Sequence, residues 1–253
     1  MMAKHLTPKR HPQPSLTDGD GNEIYNKILL AIPKVEREFV FPKLEFVRLQ
    51  SRQLLHDVGD RLKSGYFCNA GMISTLSVFS DGKSVEVGLI GKEGFAALPL
   101  IVGFKTSNIR VNVQIEGTAF RIDAESLWNC LRQCPTLARH IHQFSQIMAM
   151  QVTQIAACNR THDVEERLAR WLLMCADRVG SDTLPLTQDL LGQMLGTRRA
   201  SVTIAAGILQ KAGLIEYVRG RLHLSDRAGL ENAACECYGT IRAQIQKWQR
   251  ESS

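Results

Sequence analysis

The stretch that decides the fold is residues 186–215, which read LTQDLLGQMLGTRRASVTIAAGILQKAGLI. Thr187 stands before the first apolar pattern, where its hydroxyl can cap a helix. Gly196 then supplies a turn, Thr197 can cap a second helix, and Gly213 can end it. The predicted buried positions of the second helix follow helical spacing: Val202, Ala206 and Leu209. The stretch therefore predicts a helix-turn-helix.

The predicted first turn of the second helix is basic. It contains Arg198, Arg199 and Ser201, so two guanidinium groups and a hydroxyl join the positive end of the helix. Arginine can bind guanine O6 and N7 together, which suits a helix that reads base edges. The alternative is a solvated basic cap on a purely structural helix. We expect contacts with double-stranded DNA.

A basic hairpin follows the two helices. Two alternating strands flank the turn Arg219-Gly220-Arg221, which predicts a wing whose arginines lie beside phosphates. Between Gly192 and Gly229 there are six basic residues against two acidic ones, an excess of four. The local charge favours a polyanionic partner for this region.

The bulk composition is that of an ordinary folded protein with room for two small domains. The 253 residues are 44% apolar and 22% charged, with a formal net charge of +6. The apolar stretches are too short to span a membrane, and the basic N-terminus lacks the apolar core of a signal peptide. Seven cysteines, an odd number, favour reduced thiols over disulfides. We expect a cytoplasmic protein without membrane contact.

The first half of the chain has the pattern of a β-rich domain. Short β-like runs broken by turn residues extend from about Phe39 to Ile122. The clearest hairpin joins Ile73–Phe79 to Ser84–Ile90 through a turn that contains Asp81-Gly82. A short amphipathic helix is expected before it, at residues 22–32. These patterns predict an antiparallel β-roll.

A long helix is predicted to follow the roll, and a capping box at Asp163 and Glu166 is predicted to begin the helix after it. The apolar positions of the long helix recur every 3.5 residues, and polar Gln151 lies in the same seam. These apolar positions are Leu137, Ile141, Phe144, Met148, Ile155 and Cys158. Such a seam packs either on a partner helix, where one polar residue can fix the register, or on the protein's own β domain.

The chain is thus predicted to be an α+β protein with five segments. They are a disordered leader at 1–21, a β-roll sensor domain at 22–134, a dimerisation helix at 135–160, a winged helix-turn-helix domain at 161–230 and a C-terminal helix at 231–253.

Neither a metal site, a cofactor nor an enzymatic activity is predicted. Cys235-x-Cys237 lacks two further ligands nearby in the sequence. His140 and His142 lie two apart on a helix and cannot face one metal ion together. No phosphate-binding glycine loop or activated nucleophile motif is present.

The order of β-roll, long helix and winged helix-turn-helix resembles the catabolite-activator (CRP/FNR) superfamily over roughly residues 24–235. The similar stretches are IGKEGF at 90–95, ACNR at 157–160, VEERLARWLL at 164–173 and the helix-turn-helix through LQKAGLI at 209–215. The resemblance implies that the protein is a homodimer whose subunits pair through the long helix, and that the dimer binds DNA. It also implies that RNA polymerase is a partner if the protein activates transcription.

The resemblance also assigns roles to residues of the second helix. It puts Arg199 on the family's guanine-reading position and Ser201 on its phosphate-contacting hydroxyl. Ala200 and Ile204 depart from the family's usual base-contacting Glu and Arg, so a different target sequence is expected. Ile204 either touches a thymine methyl or is partly buried.

The candidate effector pocket departs further from the family. Nucleotide-binding members hold the ribose with a Glu that follows Gly and the phosphate with Arg-Ser or Arg-Thr. Here Glu93 precedes Gly94, and Lys105-Thr106-Ser107 replaces the basic-hydroxyl pair. A buried phosphate without its guanidinium is poorly compensated. We expect a sequence-specific transcription regulator that does not use cyclic AMP and whose effector is unknown; the alternative is a non-DNA-binding sensor or interaction protein of the same fold.

Overall fold

A computed structural model describes residues 16–186, 188–218 and 221–251. The helices are α1 Lys27–Ala31, α2 Lys34–Val40, α3 Ala124–Gln133, α4 Pro135–Thr161, α5 Val164–Val179, α6 Gln188–Met194, α7 Arg199–Lys211, α8 Arg227–Ala233 and α9 Cys237–Glu251. The strands are β1 Glu45–Leu49, β2 Leu54–His56, β3 Ser64–Val78, β4 Ser84–Ile90, β5 Phe95–Ala96, β6 Arg110–Asp123, β7 Thr183–Leu184, β8 Ile215–Val218 and β9 Arg221–Leu224. No helix in these ranges is both long and apolar enough to cross a membrane.

The N-terminal sheet is antiparallel throughout. Its strand order is β1-β6-β3-β4, with β2 also on β6 and β5 on β3. The predicted hairpin is present as β3 and β4, with Ile73 opposite Ile90 and Val78 opposite Ser84. Gly82 has a φ of +82°, the backbone conformation that this turn residue was expected to supply. The predicted α+β class and antiparallel roll are confirmed.

The chain ahead of the sheet differs from the prediction. Helix α1 begins at Lys27 instead of Asn22 because Asn26 caps it, accepting hydrogen bonds from the backbone N–H of Ile28 and Leu29, both at 3.1 Å. Residues 16–21, expected to be disordered, instead belong to a turn. The Asp18 carboxylate accepts the backbone N–H of Asn22 at 2.8 Å there. Residues 1–15 lie outside the described ranges.

Helix α4 packs on its own chain. Every seam position that the 3.5-residue period marked is buried: Leu137, Ile141, Phe144, Met148, Gln151, Ile155 and Cys158. Two glycines give the helix room, because a Cβ at Gly88 would lie 2.7 Å from Met148 Cε and one at Gly94 would lie 2.2 Å from Phe144 Cζ. Of the two alternatives left open for this seam, the structure shows packing on the protein's own β domain from Leu137 to Met148, whereas Cys158 packs on Cys235 and Cys237.

Gln151, the polar residue of the seam, makes its hydrogen bonds within its own chain. Its Nε2 donates to the Leu89 carbonyl at 3.3 Å, and its Oε1 accepts from the Arg178 guanidinium. Arg178 also forms a buried ion pair with Glu93, with 3.2 Å between Nε and Oε1. The polar seam residue therefore joins α4, β4 and α5 within one chain.

A second hydrophobic core surrounds α5. The capping box predicted at Asp163 and Glu166 is present, and Gly180 ends the helix with a φ of +74°. Helices α6, α7, α8 and α9 pack around α5, together with the three-stranded sheet of order β7-β9-β8. Helix α9 also contacts the central helix: Trp248 packs on Phe144 of α4 with ring centroids 6.0 Å apart.

Candidate nucleic-acid interface

Helices α6 and α7 form the helix-turn-helix. Gly196 turns the chain with a φ of +58°, and Thr197 N–H donates to the Gly192 carbonyl at 3.3 Å. The N-cap of α7 is Arg198, one residue later than the Thr197 cap predicted, and its side chain makes no capping hydrogen bond. The other predicted cap, Thr187, lies outside the described residues.

The inner face of α7 holds it on the second core. Val202, Ala206 and Leu209 are buried as their spacing predicted, and Ala205 is buried with them. Leu191 and Met194 of α6 are also buried. The small side chains of the two alanines let α7 pack closely on α5. This packing, rather than the flanking loops, fixes the orientation of the outer face of α7.

The outer face of α7 is solvent-exposed and begins with Arg198 and Arg199. Ile204 is 65% exposed and Ile208 is 45% exposed. Ile204 is therefore not partly buried, the alternative considered for it. Ser201 is half-buried near the start of the helix. The surface combines two guanidinium groups with apolar side chains at neighbouring helical turns.

The predicted wing is the hairpin of β8 and β9. Val218 pairs with Arg221, and Arg219 of the predicted turn falls outside the described residues. Arg221 is exposed at the start of β9. The two strands are held by β7, whose Thr183 pairs with His223.

Not all of the basic residues in this region face outward. The Arg227 guanidinium lies 3.1 Å from a carboxylate oxygen of Asp182 and 3.3 Å from one of Glu231, and it also pairs with Asp177. Arg227 therefore links α8 to the end of α5 and to the residues before β7. The local charge excess counted from the sequence includes this internal ion-pair network.

The helix-turn-helix also contacts the roll. Gln193 Nε2 donates to Ser84 Oγ at 2.8 Å, and a Cβ at Gly196 would lie 2.4 Å from Val85 Cγ2. Glycine at 196 thus allows both the turn and the close approach of β4. A cleft between the β3–β4 turn and this helix-turn-helix is lined by Thr197, Arg198 and Arg199 on one side.

The candidate effector residues do not converge on one cleft. Glu93 is committed to its buried ion pair with Arg178, and Gly94 packs under Phe144. Lys105 instead lines a surface cleft with Lys63 and Trp128. The remaining two make local contacts: Thr106 bridges Arg61, and Ser107 Oγ accepts the Ile109 N–H at 3.2 Å.

One cluster was missed by the sequence argument. Cys158 and His162 come together with Cys235 and Cys237, and their candidate ligand atoms all lie within 4.8 Å of one another. The prediction that Cys235-x-Cys237 has no further metal-binding side chains nearby is therefore wrong, because Cys158, 77 positions from Cys235 along the chain, and His162 lie beside it. The spacing C-x3-H on a helical turn was the available signal.

Comparison with known proteins gives the family of the C-terminal unit. Residues 166–233 match the Crp-like helix-turn-helix domain. Among curated protein sequences none matches the chain.

Solved structures give the fold. A crp/fnr-family transcriptional regulator from Eubacterium rectale has 16% identity and a TM-score of 0.65, covering 83% of this chain and 98% of its own. CLP of Xanthomonas campestris, described as a c-di-GMP-responsive global regulator, has 17% identity and a TM-score of 0.64, with 77% and 100% covered. FixK2 from Bradyrhizobium japonicum has 14% identity and a TM-score of 0.62, with 76% and 98% covered. The predicted resemblance is confirmed in the fold and in the helix-turn-helix domain.

Proposed function

Because the chain carries a Crp-like helix-turn-helix domain on a CRP/FNR fold, we propose that it is a sequence-specific DNA-binding transcription regulator. It acts as a homodimer, and it is not an enzyme. Its site of action is the cytoplasm, where its seven free cysteines stay reduced. The observation that carries the proposal is the exposed outer face of α7, which begins with Arg198 and Arg199.

The outer face of α7 supports a division of labour among the proposed contacts. Arg199 reads guanine from the major groove, and Ile204, five residues later on the helix, packs on a thymine methyl. Thr197, Arg198 and Ser201 contact phosphates around the start of α7, while Arg219 and Arg221 do so from the wing. Phosphate contacts fix the position of the helix, and the two base contacts select the sequence.

The dimer uses an exposed face of α4 that lies one residue beyond the buried seam, about 100° further around the helix. Ala149, Val152, Ala156 and Asn159 are exposed, and their steps of three and four residues form a second 3.5-residue seam. Small side chains there allow a second α4 to approach closely. Pairing on this face places two copies of α7 on one duplex, with half-sites about 34 Å apart. An activator of this design also contacts RNA polymerase.

Cyclic AMP is not the effector. Glu93 Oε1 forms an ion pair with Arg178 Nε at 3.2 Å, so this carboxylate is not available to bind a ribose. Lys105 lines another cleft and presents a compact ammonium instead of the planar guanidinium that binds a phosphate with two hydrogen bonds. The effector that acts on the roll is unknown.

The test is a fluorescence-anisotropy titration of the full chain with genomic promoter fragments and with random duplex at two salt concentrations. We expect tighter binding to a subset of fragments, and a loss of affinity at high salt from phosphate contacts. Sedimentation on the same samples is expected to show a dimer that Val152→Glu converts to monomer. A chain that binds no duplex at low salt is instead a sensor or interaction protein of this fold.

A further inference from the structure

A compact cluster of thiols and imidazole lies where the central helix meets the C-terminal helices. Cys158 is in the last turn of α4 and His162 follows the helix directly, while Cys235 and Cys237 flank the start of α9. The three cysteines are buried and pack on one another as a separate group outside both hydrophobic cores. A buried cysteine that served only as a small apolar residue would be expected within one of those cores.

The size of the cluster suits a single metal ion. The Sγ atoms of Cys158 and Cys235 are 3.4 Å apart, and Cys237 Sγ lies 3.7 Å from His162 Nδ1. Ligands at a zinc–sulfur distance of about 2.3 Å in a tetrahedron stand about 3.8 Å from one another. All four ligand atoms lie within 4.8 Å of each other, which leaves no room for a cluster of several irons and sulfides.

The imidazole is oriented as a metal ligand would be. His162 turns Nδ1 toward the thiols, and its Nε2 lies 3.0 Å from a carboxylate oxygen of Glu236. A histidine that binds a metal through one nitrogen commonly donates its other N–H to a carboxylate, which fixes the ring and its tautomer. Glu236 stands between the two cysteines of the C-x-C segment, so one short loop supplies two thiols and this carboxylate.

We propose that Cys158, His162, Cys235 and Cys237 bind one structural zinc ion. Thiolate and imidazole ligands favour zinc over magnesium and calcium. The protein fills all four positions, so no open position remains for catalysis. The ion joins the end of α4 to the loop between α8 and α9, and thereby fixes the DNA-binding unit to the central helix.

The first experiment measures metal content by mass spectrometry on the full chain purified with reductant and supplied with zinc. One zinc per chain is expected in the wild type. Cys237→Ser is expected to lose it, whereas Cys130→Ser, at a buried cysteine in α3, is expected to keep it. A wild type without zinc, or equal loss in both variants, would overturn the proposal.

The second experiment does not depend on how the cysteine variants fold. Glu236 has a side chain 77% exposed, so Glu236→Gln is expected to fold normally. Competition with a zinc chelator should show affinity weakened by about 10–100-fold, the usual effect of losing such a carboxylate. Unchanged affinity would contradict the orientation of His162 that the site requires.

Cobalt provides a third readout, independent of DNA binding. Titration of the metal-stripped full chain with Co²⁺ should give thiolate-to-cobalt charge-transfer bands and the visible bands of a tetrahedral ion, saturating at one equivalent. Octahedral spectra, or a disulfide between Cys158 and Cys235 that forms in place of metal binding under reducing conditions, would count against the site.

Discussion

Helices α4 and α7 both show apolar residues at helical spacing, yet the structure uses the two patterns differently. The apolar seam of α4 is buried inside its own chain, with Phe144 and Gln151 among its buried residues. Helix α7 buries one face and leaves Ile204 and Ile208 exposed on the other. Periodicity thus predicts that a face is covered, but the residues off that face determine what else the helix can bind.

The difference has a packing cause. Gly88 and Gly94 on the roll create space into which Met148 and Phe144 of α4 fit, so the large seam residues find partners within the chain. Helix α7 lies on α5 through smaller residues, among them Ala205 and Ala206. Ile204 and Ile208 lie on the side of α7 that faces away from α5 and remain at the surface.

The largest effect should come from truncating each helix at one apolar residue. Phe144→Ala removes a ring from the core and leaves a cavity, so the free energy of unfolding should fall by about 3–5 kcal/mol. Ile204→Ala, at an exposed position, should change it by less than about 0.5 kcal/mol. Denaturant titrations at one protein concentration measure both.

Equal losses of unfolding free energy in these two variants would contradict the comparison, since Ile204 would then contribute to a core as Phe144 does. The matched control is Ile208→Ala, at the other exposed isoleucine of α7, which should likewise change the free energy of unfolding by less than about 0.5 kcal/mol.

The next effect is a pH dependence of stability that arises from Glu86. This residue of β4 joins the roll to α5. Its carboxyl accepts hydrogen bonds from Ser74 Oγ and Trp171 Nε1, each at 2.6 Å. Burial raises the pKa of Glu86 from 4.5 to about 7, against the opposing effect of these hydrogen bonds and of the positive charges of Arg170 and Arg178. The folded protein therefore holds a proton at pH 6 that the unfolded chain releases.

This raised pKa sets the direction of the pH dependence. The stabilisation is complete below pH 4.5 and is lost as the pH rises through about 7. Its size is about 3 kcal/mol at 1.36 kcal/mol per pKa unit. Glu86→Gln should therefore unfold less readily than the wild type at pH 8 and show a flatter profile between pH 5 and pH 8. Glu38→Gln, at an exposed acid of α2, should keep the wild-type profile, and a flat wild-type profile would contradict this assignment.

A smaller effect separates two arginines within the proposed DNA surface. Arg199→Ala should lower the ratio of specific to random DNA binding by about 1–3 kcal/mol, because it removes a base contact. Arg221→Ala should weaken both kinds of DNA about equally and reduce the salt slope by about one. Anisotropy at several salt concentrations measures both quantities, and an unchanged ratio in Arg199→Ala would show that α7 does not read bases.

The sequence predicted those features that depend on neighbouring residues. The turn at Asp81-Gly82, the capping box at Asp163 and the buried face of α7 all follow from spacings of a few positions. The cap at Thr197 was wrong by one residue, because α7 begins at Arg199 with Arg198 as its N-cap and no side-chain capping hydrogen bond, and the exact end of a helix is not fixed by residue type alone.

Features that depend on distant residues were beyond the sequence argument. Cys158 and Cys235 meet only because α9 folds back along α4. Arg178 of α5 likewise pairs with Gln151 of α4 and with Glu93, which follows β4. The period of the apolar residues does not predict which elements lie beside one another. Spacing singled out Gln151 in the seam and the Cys235-x-Cys237 pair, but their contacts could be identified only from the packed chain.

The smallest expected effect is that of cyclic nucleotides on DNA binding. Calorimetry with cyclic AMP and with cyclic GMP up to millimolar concentration should show no binding, because Glu93 is paired with Arg178 and Lys105 lies in a different cleft. DNA affinity should be the same with and without each nucleotide. Lys105→Ala is the matched variant, and it should behave like the wild type in both assays. Micromolar affinity coupled to a tenfold gain in DNA affinity, about 1.4 kcal/mol of linkage, would contradict this prediction and show that the protein binds the cyclic phosphate. Loss of that gain in Lys105→Ala would then assign the phosphate to this ammonium, and its persistence would move the site to the clefts that Arg178 or Arg198 line.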